Sequence, residues 1–148
     1  ATMSKHKSDS TEQRSAESKM LELLENEIGA NFSSSSSLPI DLGVVPDGID
    51  LDKKIVVEAY ARIGGAKGGQ KQKIKGDVLK LAYIDKCLPD WNKIMLFACS
   101  KTAGDLLGQS WVANAAREFG IETYVVDLPE GLKETVVQAQ SRQEMINA

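Results

Sequence analysis

An α/β fold, with a mixed sheet packed between helices, is what this amino-acid sequence predicts, on three observations. Pro46-Asp-Gly-Ile-Asp-Leu and Lys54-Ile-Val-Val-Glu-Ala-Tyr alternate apolar and polar residues on either side of Asp52-Lys53, as an antiparallel hairpin does. Lys93-Ile-Met-Leu-Phe-Ala-Cys is a continuous apolar run, as expected of a central strand covered on both faces. A helical stretch then leads into the apolar segment 121–128, and strand, helix and strand of these lengths make a parallel crossover.

The elements follow in order along the chain. Residues 1–14 are polar, rich in Ser and Lys, and read as a disordered tail, leaving 15–148 as a single domain. Ser15 is placed to cap a first helix whose apolar stripe is Ala16, Met20, Leu23, Leu24 and Ile28, with Gly29 as its stop. Ser33 to Ser37 is a low-complexity loop, and residues 38–45 have the pattern of an edge strand. After the hairpin, Gly64-Gly-Ala-Lys-Gly-Gly turns the chain into a helix with Ile74, Val78, Leu81 and Ala82 facing the core. Pro89 and Asp90 end it. A helix over 103–119 has Leu106, Leu107, Trp111, Ala115 and Phe119 as its core face, and Gly120 stops it. Residues 130–146 read as a final, acidic helix turned away from any nucleic acid.

Composition excludes several functions. The 148 residues, 42% hydrophobic and 26% charged with net charge −3, describe an ordinary globular chain with no global polyanion signal. One His, in the tail, and two cysteines leave no Cys/His zinc site and no Cys-His catalytic pair. Cys87 and Cys99 suit two buried thiols in a reducing compartment. With no apolar run of roughly 18 residues and no signal-peptide pattern, the expectation is a cytoplasmic protein without a membrane span. The glycine-rich segment is not a P-loop, because Gln70 stands where the lysine should be, and Gly68-Gly-Gln70 is too short to signal peptidyl-tRNA hydrolysis.

The chemistry gathers in the segment 46–81. A turn at Asp52-Lys53 pairs Leu51 with Lys54, Ile49 with Val56 and Asp47 with Glu58, and places Asp47, Glu58 and Tyr60 on one face. Asp41 competes as the first acid, and a turn one residue longer would shift the pairing. Like charges opposite each other cost energy, so two carboxylates there are best explained by a divalent cation between them. Gln70, Lys73, Asp77 and Lys80 form a polar stripe beside the core stripe of the helix, within a sector of about 80°. Between Ala61 and Lys80 there are six basic residues against the single acid Asp77. A solvated helix face would account for such lysines, but beside paired acids they favour a phosphodiester substrate.

These residues carry a resemblance. Pro46-Asp47, ten residues, then Glu58-Ala59-Tyr60 at the end of an apolar strand resembles the PD-(D/E)XK nuclease superfamily, across residues 17 to 128. The restriction-endonuclease-like sandwich is the fold this implies, and a Mg²⁺- or Mn²⁺-dependent nuclease is the function. Tyr60 departs from the motif, which has a lysine there, so the resemblance implies a lysine migrated to the following helix. It assigns metal binding to Asp47 and Glu58, with the Ala59 carbonyl as a further ligand, and charge stabilisation to Lys73. Gln70 would bond the phosphate or water, and Glu17 would be the first-helix acid near the metal. A first-turn glutamate favoured by the helix dipole explains Glu17 equally well. Lys67, Lys71 and Lys80 would contact substrate, Lys80 also supporting Lys73 together with Asp77. Lys75, about 160° round the helix from Lys73, should face solvent.

The expected partner is nucleic acid, DNA before RNA. A chain this small has little surface for base readout, so any sequence specificity would need a homodimer or another partner. Two rivals remain: a catalytically idle nucleic-acid-binding or assembly module, supported by Tyr60, and a small-molecule-binding α/β protein.

Overall fold

Alternation of apolar residues sets the hairpin, and in a computed structural model of the chain, which describes residues 11–32 and 37–147, the predicted register is kept. Strand β1 (Gly48–Asp50) runs antiparallel to β2 (Ile55–Tyr60), with Gly48 opposite Val57, Ile49 opposite Val56 and Asp50 opposite Ile55. The turn is longer than the two residues expected. Residues 51–54 form it, with Lys54 at φ 58°, and an Asp50 side chain accepting from Lys53 N at 3.0 Å. Lengthening it symmetrically left the pairing in phase. Gly48 is a close approach: a Cβ there would lie 3.0 Å from the Leu21 side chain and 3.4 Å from Phe32, so those side chains would have to give way by a few tenths of an ångström.

Two more strands complete a four-stranded sheet in the order β1-β2-β3-β4. Strand β3 (Asn92–Phe97) is parallel to β2, and β4 (Ile121–Val125) is parallel to β3. The crossover from β2 to β3 is helix α2 (Gly68–Cys87). That from β3 to β4 holds two short helices, α3 (Gly104–Leu107) and α4 (Trp111–Glu118). These three helices and the Val56, Tyr60, Met95 and Phe97 side of the sheet share one apolar core. The other face, with Val57, Ala59, Ile94 and Leu96, packs on α1 (Thr11–Ile28) and α5 (Glu130–Asn147). The central run is buried as expected, and its Lys93, 4% exposed, is tolerated through Asp85 and the Trp91 carbonyl.

Several expectations change. The first helix is already formed at Thr11, so Ser15 lies inside it and is no cap; residues 1–10 of the expected tail and 33–36 of the serine loop lie outside the described residues. Residues 38–45 form no strand: Asp41 closes a local turn onto Gly43 N, which removes it as a rival first acid. The helix expected over 103–119 breaks at Gly108, and Ser110 caps α4 by accepting from Ala113 N at 3.1 Å. The break rotates α4, so Val112, Ala113 and Ala116 face the core, while Trp111 is 70% exposed and Leu107 and Phe119 are also exposed. Lys75 is half-buried rather than solvent-facing, its ammonium 5.6 Å from the Trp111 ring centre. Both cysteines are free and half-buried. Helix α5 packs beside the segment that follows β2, where Gln140 bonds both the N–H and the carbonyl of Ile63, at 2.9 and 3.1 Å. No helix among the described residues is long and apolar enough to cross a membrane.

Asp50 gives the fold a testable anchor. It is 5% exposed, and its carboxylate accepts from Asn31 N at 2.9 Å as well as from Lys53 N, tying the end of α1 to the hairpin turn. It is covered but shallow, so its desolvation is outweighed by the amides of Asn31, Lys53 and Asp52, which hold its pKa below the usual value. A depressed carboxylate contributes stability above the unfolded pKa and loses it as pH falls through the folded one. Asp50→Asn should therefore cost about 1–2 kcal/mol at pH 7. Urea melts should show the difference from wild type shrinking below about pH 4. A cost that is the same at pH 3 and pH 7 would mean the charge is not what binds those amides.

Candidate functional site

Strand alternation sends Val56, Glu58 and Tyr60 toward α2, and the hairpin register brings Asp47, one residue ahead of β1, opposite Glu58. The two side chains extend the ladder in place of backbone: Asp47 N donates to Glu58 Oε2 at 3.2 Å, and Ala59 N donates to Asp47 Oδ2 at 2.8 Å. Helix α2 lies over the pair. Its Lys80 ammonium donates to Glu58 Oε1 at 2.9 Å and stands 3.7 Å from Asp77, itself 7% exposed. Three acids thus gather around two lysines, because Lys73 pairs with the other Asp77 oxygen at 3.2 Å.

The electrostatics single out Glu58. It is 2% exposed, and burial first, then the charge of Asp47, push its carboxyl up to about 7 despite the Lys80 hydrogen bond. Asp47 shifts upward too, chiefly through desolvation, against the pull of Ala59 N and the fields of Lys73 and Lys80. Its surface remains exposed although its carboxylate is hemmed in by neighbours, so water reaches the pair from that side and Glu58 is the more telling of the two. Lys80 loses something to desolvation, but its bond to Glu58 and the fields of Glu58, Asp77 and Asp47 raise it overall, which keeps it an ammonium.

Tyr60 occupies the position of the motif lysine and is a core residue, 6% exposed and stacked on Phe97 with ring centres 5.4 Å apart. Lys73 sits over its other side, 4.7 Å from the ring centre. Burial, then the charge of Asp77, drive the phenol far above its usual range, so it stays protonated. Its hydroxyl is fully covered and set against the Asp77 carboxylate, whose proximity adds to the rise.

The structure therefore redistributes the predicted roles. Asp47 and Glu58 come together. The ammonium in contact with Glu58 is Lys80, not Lys73, and both lysines act on Asp47 only through their fields. Gln70 accepts from Lys67 N at 3.1 Å, holding the first turn of α2, and lines a cavity of about 310 Å³ with Glu17, Tyr60 and Lys73. Lys67 and Lys71 are drawn elsewhere, to Glu144 at 3.3 Å and Asp105 at 3.8 Å. Arg62, one of the lysine-and-arginine set, was given no role of its own by the sequence. It lines that same cavity, at the end of β2, where the carbonyls of Arg62 and Gly64 are tied to Thr102 Oγ1.

A divalent cation can be tested against these donors. Among the described residues no group of three or more His, Cys, Asp or Glu is arranged to hold a metal ion. Mg²⁺ does not need one, since it is commonly held by one or two carboxylates and completes its shell with water and substrate oxygens. Two facing carboxylates, each raised in pKa with the other's charge among the causes for Glu58, are a pair that such a cation would relieve. Asp47 and Glu58 fit it in that sense.

No protein-family model matches the chain, and neither does any curated protein or solved structure.

Proposed function

We propose that this chain is a divalent-cation-dependent phosphodiesterase, a nuclease acting on DNA or secondarily on RNA, built on a sandwich of the restriction-endonuclease-like kind. One observation carries it: Asp47, just ahead of β1, and Glu58 on β2 each bond the other's backbone segment, with the Lys80 ammonium 2.9 Å from Glu58. Asp47 and Glu58 would hold Mg²⁺ or Mn²⁺, which when bound polarises a phosphate and lowers the pKa of a bound water. Lys80 supplies a fixed positive charge beside the acids, where negative charge grows on the phosphoryl oxygens. Asp77 holds Lys80 and Lys73 along one side of α2. Two free thiols agree with a reducing compartment, and we place the protein in the cytoplasm.

The experiment is cleavage of plasmid and of single-stranded DNA with Mg²⁺ or Mn²⁺, followed across pH. Protonated Glu58 cannot serve a cation, so at limiting metal the rate should rise through about pH 7. More metal should move the midpoint lower, because binding competes with the proton. No cleavage with either metal would remove the enzyme. A second reading then leads, an idle nucleic-acid-binding module, favoured by Tyr60 in the lysine position and by Lys80 already neutralising Glu58.

A further inference from the structure

Helix α2 carries a second stripe that neither the core nor the acid pair uses. Gln72, Lys75, Gly76, Leu79, Tyr83 and Lys86 recur at three- and four-residue steps, within about 60° either side of Leu79. Leu79 is 72% exposed, and Tyr83 is exposed as well. Helix α4 and the residue that ends it add Trp111, 70% exposed, and Phe119. Between the two helices runs an open groove of about 470 Å³, floored by Val78, Ala82, Val112 and Ala115.

The chemistry of this face says what covers it. Among the described residues Lys75 is the only charged side chain lining the groove, and its ammonium already faces the Trp111 ring. Grooves that track a nucleic-acid backbone are lined by several cations, so an apolar protein surface fits better. Residues 1–10 and 33–36 hold one large apolar side chain, Met3, and supply no segment of that kind. At roughly 150–250 Å² for a whole aromatic side chain and less for leucine, the exposed parts of Leu79, Tyr83, Trp111 and Phe119 come to about 400–500 Å². A stable interface takes about 800 Å² from each partner, somewhat over half of it apolar. The four side chains supply that apolar share, and the exposed Gln72, Lys86 and Asn114 supply a polar rim.

We propose that this face pairs two copies of the chain across a twofold axis at Leu79. A twofold interface is self-complementary, so it needs a projection and a recess on the same surface. Leu79 and Trp111 project. Gly76 leaves a recess beside them, since a Cβ there would meet nothing within 4 Å. Antiparallel packing of α2 on its copy about Leu79 sets Lys75 opposite Tyr83, and Gln72 opposite Lys86, so no lysine meets a lysine. Tyr83 of each copy then lies over the open turn at Gly76 of the other. The acid site stays uncovered, because Lys80 is about 100° round the helix from Leu79. The pairing stands whether or not the chain is a phosphodiesterase.

Sedimentation equilibrium of the full chain is the test. At about 100 µM the wild type should sediment at twice its 16.1 kDa, since interfaces of this size hold at micromolar concentration or below. Leu79→Glu sets two carboxylates against each other at the axis and should raise the dissociation constant by more than about 100-fold. Trp111→Ala should raise it by roughly 10- to 100-fold, as loss of a central aromatic anchor does. Both positions are exposed, so circular dichroism should show both variants folded, and Trp111→Ala carries the test if Leu79→Glu is not. Met145→Glu, at an equally exposed apolar position on α5, should dimerise like wild type. An equimolar mixture of Leu79→Glu and Leu79→Lys should recover the dimer, because opposite charges then meet at the axis. A wild type that stays at 16.1 kDa overturns the pairing and leaves the face to a different protein or to a nucleic-acid strand. A dimer that Leu79→Glu and Trp111→Ala leave intact overturns it too, being built on another surface. Monomeric Leu79 variants whose mixture stays monomeric overturn the twofold at Leu79.

Discussion

Glu58→Gln should abolish metal-dependent cleavage and at the same time make the protein more stable at pH 8. The two effects share one cause. Folded Glu58 titrates at about 7, whereas the unfolded carboxyl titrates near 4.5. Between those values the folded state keeps a proton that the unfolded state has released, so folding weakens as pH rises through the interval and stays weaker above it. Glutamine has no such dependence, and it can still accept from Asp47 N while Lys80 turns to Asp77, 3.7 Å away. The variant should therefore melt several degrees higher than wild type at pH 8 and close to it at pH 5. At this chain length each kcal/mol moves the midpoint by roughly 3–6 °C. Cleavage should drop by more than about 10²-fold, the scale on which single charge-stabilising groups act. Mg²⁺ at a hundred times its Kd should raise wild-type stability by about 2.7 kcal/mol and leave the variant unmoved. A functional site often stores such instability, since what serves a ligand is not what serves the fold. If Glu58→Gln is the less stable protein at pH 8, the Glu58 charge is a structural partner of Lys80 and the cation site is gone.

The acid pair was legible because strand alternation has a period of two and a hairpin register is a single number. Ile49 opposite Val56 fixes Asp47 opposite Glu58 whether the loop holds two residues or four, provided it grows symmetrically. The α4 face was not legible from periodicity alone. The stripe through Leu106, Leu107, Trp111, Ala115 and Phe119 continues helical phase across Gly108 to Ser110, where the chain leaves the helix and starts again. The cap at Ser110 was the available signal for that break. Residues 38–45 alternate like a strand but have no neighbour to pair with, because the β1 edge is only three residues long. That Arg62 Nε is buried without a hydrogen-bond partner could not be read from sequence at all, since it depends on which acceptors the fold places out of its reach.

Lys80→Ala should cost far more activity than Lys73→Ala, reversing the order that the sequence suggests. The two lysines are seven residues apart, so they project within about 20° of each other around the helix. A helical wheel cannot choose between them. What separates them is height: seven residues span about 10 Å along the axis, more than a hydrogen bond can bridge. Where α2 docks on the sheet decides which one meets Glu58, and the packing of Ile74, Val78 and Leu81 puts Lys80 there. Its side chain is 26% exposed, so its charge acts in a poorly screened setting. Lys73 is 65% exposed and held on the Tyr60 ring and Asp77, nearer the cavity than the acids. Lys80→Ala should therefore lower kcat by roughly 10²- to 10³-fold, with partial rescue by Lys80→Arg. Losing its ammonium should also move the rise of the pH profile to higher pH, because Glu58 then has less positive charge to favour its ionised form. Lys73→Ala should change kcat by less than about 10-fold and act mainly on KM, as a substrate contact does. Its melting temperature should fall only slightly, since an exposed ion pair and one cation–π contact contribute roughly 1 kcal/mol or less. If Lys73→Ala loses kcat as fully as Lys80→Ala, the catalytic charge lies at the upper turn of α2, and Lys80 serves only to neutralise a buried acid.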